Sequence, residues 1–334
     1  MDLGLDVLAA RDLETLIERD PHNHETLVAR AQLEEASGAY EAALNDLNVA
    51  LAHRPDNGDA WTWRGTINHR IGNFEQAADD FSRALVLKPN TPELLYRRGL
   101  ARHQLRETDK AMVDLNDALK IDPSNADVWY SRGNVNAGNG DIKAAMADYR
   151  KATELDSTHA AAWYNQGNML FSQSDFKGAI NCWNHTLAVQ PSLFRAYNNR
   201  AAAHVQLRNY AAAVADYEKT LELNPAFAKA YDNFAWLLAT AEDSSFRNPT
   251  RAVQYARRAC ELTDNKDWSH LSTLAASYAE ANDFVSARKW LLESHQLAPA
   301  DQQPQLMNLV KLYESHINKR QAAVKTPPKQ KVRL

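Results

Sequence analysis

Few residues in this chain are of a type and spacing that could do covalent chemistry. Cys182 and Cys260 are its two thiols, far apart in sequence and set in apolar helical patterns, where a thiol behaves as a small buried hydrophobe. His22 and His24 flank Asn23 just after Pro21, but no acidic or thiolate set accompanies them, so neither a metal centre nor a nuclease is implied. No G-x-S-x-G, P-loop, H-E-x-x-H or G-x-G-x-x-G stands in the strand–turn–helix context that would give it a mechanism. The expectation is a non-enzyme with no cofactor and no metal. What does recur is amide chemistry. Asn165, Asn199 and Asn233 lie 34 residues apart, as do Asn134 and Asn168. An amide both donates and accepts, so it can hold a peptide backbone whatever the side chains are. Asparagine is also a poor helix-interior residue, so its repetition calls for a cause.

The elements that must position these amides follow from the same beat. Prolines recur at 21, 55, 89, 123, 191 and 225, with a late one at 299. With the proline as position 32, repeats begin at His24, Gly58, Pro92, Ala126, Ala160, Phe194, Ala228 and Trp268. Position 8 is always glycine or alanine, from Ala31 and Gly65 to Ala275, and position 20 is alanine in every repeat, from Ala43 to Ala287. Bulky residues occupy positions 4 and 24 in most repeats (Trp61, Trp129 and Trp163; Phe81, Tyr149 and Trp183). Each repeat holds two apolar-periodic stretches of about 13 residues, a helical length. Glycines such as Gly38, Gly72 and Gly140 lie between them and permit positive φ. A hairpin of two such helices cannot bury its apolar faces alone, so the repeats must stack.

This pattern resembles the tetratricopeptide repeat (TPR), a 34-residue helix–turn–helix. The resemblance covers residues 24–300 and implies an all-α fold, a right-handed α-solenoid of about eight repeats whose first helices line a concave groove. Residues 1–23 match half a repeat and read as a cap, or as the remainder of a longer parent chain. Repeat seven carries about five extra residues within 240–250. Residues 301–323 read as an amphipathic capping helix, and 324–334 as a disordered basic tail.

The repeats also act as a small internal alignment. Position 7 is Arg30, Arg64, Arg98, Arg132, Gln166, Arg200, Phe234 and Leu274. Position 23 is Asp46, Asp80, Asp114, Asp148, Cys182, Asp216, Tyr255 and Trp290. Arginine and aspartate come and go together within a repeat, and pairing across neighbouring repeats fits worse. The reading is a partly buried intra-repeat ion pair, because one charge left alone between two helices costs several kcal/mol.

On a wheel of about 100° per residue, positions 2, 6, 9 and 13 of the first helix face away from the packed side. That face carries Asn165, Asn199 and Asn233 at position 6, Asn134 and Asn168 at position 9, and Arg195 and Lys229 at position 2. Asp59, Glu93 and Asp127 hold position 2 earlier in the chain. Tyr130 and Tyr164 at position 5 lie at the groove edge, where they could pack on a ligand side chain. Asn165, Asn199 and Asn233 are similar to the asparagine ladder of the TPR superhelix in O-linked N-acetylglucosamine transferases. Trp63, Arg97 and Ser131 at the same position depart from it. A carboxylate clamp of the kind some TPR domains use has its nearest register at Tyr130, Asn134, Asn165, Arg195 and Asn199, with two of its cationic places altered.

The chain is 45% hydrophobic with a formal net charge of −4, which gives it a core and argues against broad phosphate-backbone binding. No run approaches the roughly 18–20 apolar residues of a membrane span. The N-terminus lacks a basic leader, which implies a cytoplasmic location. The function expected is a scaffold binding a protein or peptide segment in the groove, with no nucleic acid and no membrane span. Two alternatives stay open: the docking arm of a larger enzyme, and a self-assembling repeat protein.

Overall fold

The structure is a computed structural model that describes residues 3–325, and every regular element among them is a helix. The basic stretch 326–334 lies outside the described residues. The chain divides into two compact segments at Ala162/Trp163.

The N-terminal segment begins with α1 (Leu3–Arg19). Four hairpins follow: α2 (His24–Ser37) with α3 (Tyr40–His53), α4 (Gly58–Arg70) with α5 (Phe74–Leu87), α6 (Pro92–Gln104) with α7 (Thr108–Ile121), and α8 (Ala126–Gly138) with α9 (Ile142–Leu155). Asn23, Asn57 and Asn125 each cap the helix that follows by accepting from two of its first backbone N–H groups. Repeat three uses Pro92 at the first turn instead.

The helix α10 spans Ala160–Ser172, and its residues from Trp163 onward belong to the C-terminal segment. That segment continues with α11 (Phe176–Val189), α12 (Phe194–Gln206) with α13 (Tyr210–Leu223), α14 (Ala228–Thr240) with α15 (Pro249–Leu262), and α16 (Trp268–Glu280) with α17 (Phe284–Leu297). The extra residues of repeat seven form a 3-10 turn, Ser244–Phe246, between α14 and α15. The last helix, α18 (Gln303–Lys325), packs on α17 through Leu306, Val310 and Tyr313. It runs two residues past the boundary read from sequence, into residues assigned there to the tail.

Inside each hairpin the helices approach closely at the small residues. All eight position-20 alanines are fully buried. A Cβ on Gly133 would lie 2.7 Å from the Tyr149 ring, and one on Gly167 would lie 2.6 Å from the Trp183 indole. The large residue at position 24 thus fills the space that glycine at position 8 leaves. The turn at position 15 is left-handed in most repeats. Gly38, Gly72 and Gly140 adopt it freely, whereas Arg106, Ser174, Arg208 and Asn282 are held there at φ near 60°. The hairpin imposes the turn even where the local residue disfavours it.

Candidate functional site

The arginine–aspartate pairs come first, because they fix the faces the helices present. Five arginines meet the aspartate 16 residues on by two-pronged contact. The shortest distances are 2.6 Å for Arg30–Asp46, Arg132–Asp148 and Arg200–Asp216, and 2.7 Å for Arg64–Asp80 and Arg98–Asp114. All five aspartates are buried. Arg30 and Arg200 are held above the ordinary guanidinium pKa, chiefly by the hydrogen bonds to Asp46 and Asp216. Trp61 and Trp129 lie beneath Arg64 and Arg132, each guanidinium 4.6 Å from the ring centre.

The pair is part of a larger bolt. In four repeats the arginine Nη1 also reaches back 16 residues to position 25 of the preceding hairpin: Arg64 to Asn48, Arg98 to Ser82, Arg132 to Asn116 and Arg200 to Asn184. One guanidinium therefore closes its own hairpin and ties it to the previous one. Sequence reasoning missed position 25, although the signal was present. Position 25 is a short polar residue wherever the next repeat has arginine at position 7, and becomes Arg150 before Gln166 and Glu218 before Phe234. The aspartate takes a further bond from position 11 in three repeats, from Asn68, Arg102 and Asn136. Repeat one has Glu34 there, whose pKa is raised by burial and by the nearby Asp46 charge.

In the C-terminal segment Tyr164, Asn168, Asn199 and Asn233 are joined on the first helices, while Arg195 and Lys229 contact other residues. Asn199 donates to both the Tyr164 hydroxyl at 3.1 Å and Asn168 Oδ1 at 3.0 Å, and its own Oδ1 accepts from Asn198. Asn233 donates to Asn198 Oδ1 at 3.1 Å. The asparagines thus form a cross-helix network with Asn198, a buried residue that sequence reasoning did not single out. Asn165 is half-buried on α10. Arg195 is exposed, its guanidinium 5.7 Å above the Phe194 ring, and Lys229 lies 3.2 Å from buried Asp232. Trp236, at position 9 of repeat seven, is 48% exposed on this face, and position 9 was the signal that would have found it.

In the N-terminal segment Tyr130 packs against the His159 ring at 4.8 Å, and Asn134 accepts from the Tyr149 hydroxyl at 2.9 Å. The acids at position 2 each lie beside a basic side chain or an imidazole ring. Asp59 meets Lys88 at 2.5 Å, Glu93 meets Arg97 at 2.6 Å, and Asp127 meets the His159 ring at 3.2 Å.

Between successive first helices the same five positions enclose a cavity three times: positions 9, 12 and 24 of one repeat and 6 and 9 of the next. In the N-terminal segment Thr66, His69, Phe81, Arg97 and Leu100 line one of about 260 Å³. Leu100, His103, Leu115, Ser131 and Asn134 line the next, of about 330 Å³. In the C-terminal segment Asn168, Phe171, Trp183, Asn199 and Ala202 line one of about 170 Å³. Position 12 had no place in the sequence reading, and its histidines and phenylalanine become visible only once the cavities are built.

Both thiols are inert by environment. Burial pushes Cys182 up to about 11 and Cys260 up to about 12. Among the described residues no group of three His, Cys, Asp or Glu side chains is placed to hold a metal ion. No helix among them is long and apolar enough to cross a membrane.

Stacked hairpins of this geometry define a helical repeat protein, an α-solenoid. Tetratricopeptide repeat families match residues 28–92, 126–159 and 194–227, and a TPR repeat family matches 106–140. The chain is a tetratricopeptide repeat protein, a class that serves as protein-interaction scaffolds. No curated protein matches the chain. Among solved structures, the C-terminal part of a TPR repeat-containing protein from Cytophaga hutchinsonii is 16% identical with a TM-score of 0.57, covering 73% of this chain and 98% of its own. Pseudomonas aeruginosa pilF is 14% identical with a TM-score of 0.57, covering 63% and 96%. The Cut9–Hcn1 complex of the APC/C is 17% identical with a TM-score of 0.56, covering 79% and 51%. At these identities the likeness is one of fold.

Proposed function

We propose that the chain is a non-catalytic scaffold that holds an extended segment of a partner protein along the first-helix face of its C-terminal segment. The observation that carries this reading is the oriented amide network at the rim of the cavity that Asn168, Phe171, Trp183, Asn199 and Ala202 line. A side-chain recess flanked by amides on the face left free by packing suits a peptide lying along the first helices. The amides are held in place by Tyr164, Asn168 and Asn198, so little side-chain entropy remains to be lost on binding. Arg195 and Lys229 favour a ligand that carries a carboxylate near repeats six and seven. The test is selection of binders from a random peptide library, followed by nuclear magnetic resonance mapping on the labelled full chain. Shifts clustered at Asn165, Asn199, Asn233 and Trp236 support the reading. Shifts confined to the second helices overturn it.

A further inference from the structure

The C-terminal cavity differs from the two in the N-terminal segment in what it can accept. Its walls are Phe171 and Trp183, with ring centres 6.0 Å apart and planes tilted at 45°. Ala202 replaces the leucine or asparagine that stands at the same position in the other two. Among the described residues its polar lining is the amide pair Asn168 and Asn199 and the Trp183 indole N–H. No charged side chain contributes, whereas Arg97, Glu93 and Arg70 line the first cavity and Asp127 the second.

The amides are also oriented. Asn199 spends its Nδ2 hydrogens on Tyr164 and Asn168, and its Oδ1 takes one bond from Asn198, so towards a ligand it keeps only the second acceptor site of Oδ1. Asn168 accepts from Asn199 through Oδ1, and among the described residues its own Nδ2 donates to no group. The rim therefore offers one donor and one acceptor side by side, the complement of a peptide unit with its C=O and N–H. Below the rim, Trp183 is 1% exposed and its Nε1–H has no acceptor among the described residues. About 170 Å³ is slightly more than the roughly 150 Å³ of an engineered apolar cavity that takes up benzene.

We infer that this cavity is an anchor pocket for a single phenylalanine-sized apolar side chain of the partner segment. Asn168 Nδ2 donates to that residue's backbone carbonyl, and Asn199 Oδ1 accepts from its backbone N–H. The inference rests on the groove reading above and adds the class of residue recognised. Ring edges meeting Phe171 and Trp183 supply the fit. A carboxylate or ammonium entering here would lose its water without gaining a partner charge, so charged residues are rejected.

The probes are N-acetyl-phenylalanine amide, N-acetyl-alanine amide and N-acetyl-aspartate amide, titrated into the ¹⁵N-labelled full chain. The readouts are the Trp183 indole resonance, assigned with Trp183→Phe, and the side-chain amides of Asn168 and Asn199. The phenylalanine amide is expected to shift all three saturably, and the other two probes to leave them in place. Ala202→Leu fills the cavity with a residue that repeat three already carries as Leu100. It should abolish the shifts at an unchanged melting temperature. Asn168→Asp, which removes the donor at constant size, should weaken binding ~3- to 10-fold. Equal binding of the three probes, or phenylalanine-amide shifts that survive Ala202→Leu, overturns the pocket. If library peptides shift Asn233 and Trp236 while Trp183 stays silent, the pocket fails and the groove reading stands. If neither peptides nor probes bind, both fail.

Discussion

The buried ion pair of repeat four gives a demanding quantitative prediction. Asp148 is 3% exposed and accepts from Arg132 Nε at 3.0 Å, Arg132 Nη2 at 2.6 Å and Asn136 Nδ2 at 2.8 Å. Arg132→Gln strips two of these three bonds from a carboxylate that water does not reach, and should cost ~3 kcal/mol. Asp148→Cys should cost less, ~2 kcal/mol, because Arg132 keeps its bond to Asn116 and part of its hydration. The double variant installs the pair that repeat five carries, Gln166 with Cys182. It should be at least ~2 kcal/mol more stable than the sum of the two losses. The assay is urea unfolding of all four proteins. Hydrogen exchange at α8 and α9 keeps the readout local, since a repeat array need not unfold in one step. Additivity within ~0.5 kcal/mol would show that the coming and going of these residues together is not energetic coupling.

Three further predictions follow from the same packing. Glu34→Asn should stabilise the protein by ~1 kcal/mol at neutral pH, because asparagine at position 11 donates to the position-23 aspartate in repeats two and four. The gain should shrink in melts at lower pH, where Glu34 takes up its proton early. His69 and His204 titrate below the ordinary histidine value, chiefly because burial disfavours the charged ring. Their contribution is therefore intact above pH ~6.5 and is lost as pH falls below it, since the unfolded chain takes up protons the native rings resist. Melting temperature against pH for wild type and for His69→Gln/His204→Gln checks this, and the variant should give the flatter profile. Arg106→Gly should raise stability by up to ~1 kcal/mol in urea unfolding by relieving a left-handed arginine at φ 60°.

Much of the fold was legible because a repeat protein writes its contacts eight times. The first helix of every repeat begins at the residue where the proline register places position 1, from His24 to Trp268. Joint loss of arginine and aspartate at Gln166 and Cys182 pointed to the charge pair. The third member at position 25 needed the stacking of one hairpin on the next, and a comparison within single repeats does not contain it. The amides were legible as a ladder but not as a network, because Tyr164 and Asn168 reach Asn199 from the preceding first helix and Asn233 reaches Asn198 from the next. The cavities were not legible at all. They recur at the same five positions, but whether a recess opens there, and what it accepts, depends on the residues at position 12 and on those facing it, such as Phe171 and Ala202.

The central claim is that the first-helix face of the C-terminal segment binds a partner's peptide backbone. The most direct measurement is the affinity of library-selected peptides for wild type and for Asn165→Ala/Asn199→Ala/Asn233→Ala, with hydrogen exchange confirming intact helices. Removing three amides at ~1 kcal/mol each predicts a loss of ~100-fold or more for every selected peptide, whatever its side chains. Equal affinity for the two proteins would contradict the account and leave the asparagines as ties between helices.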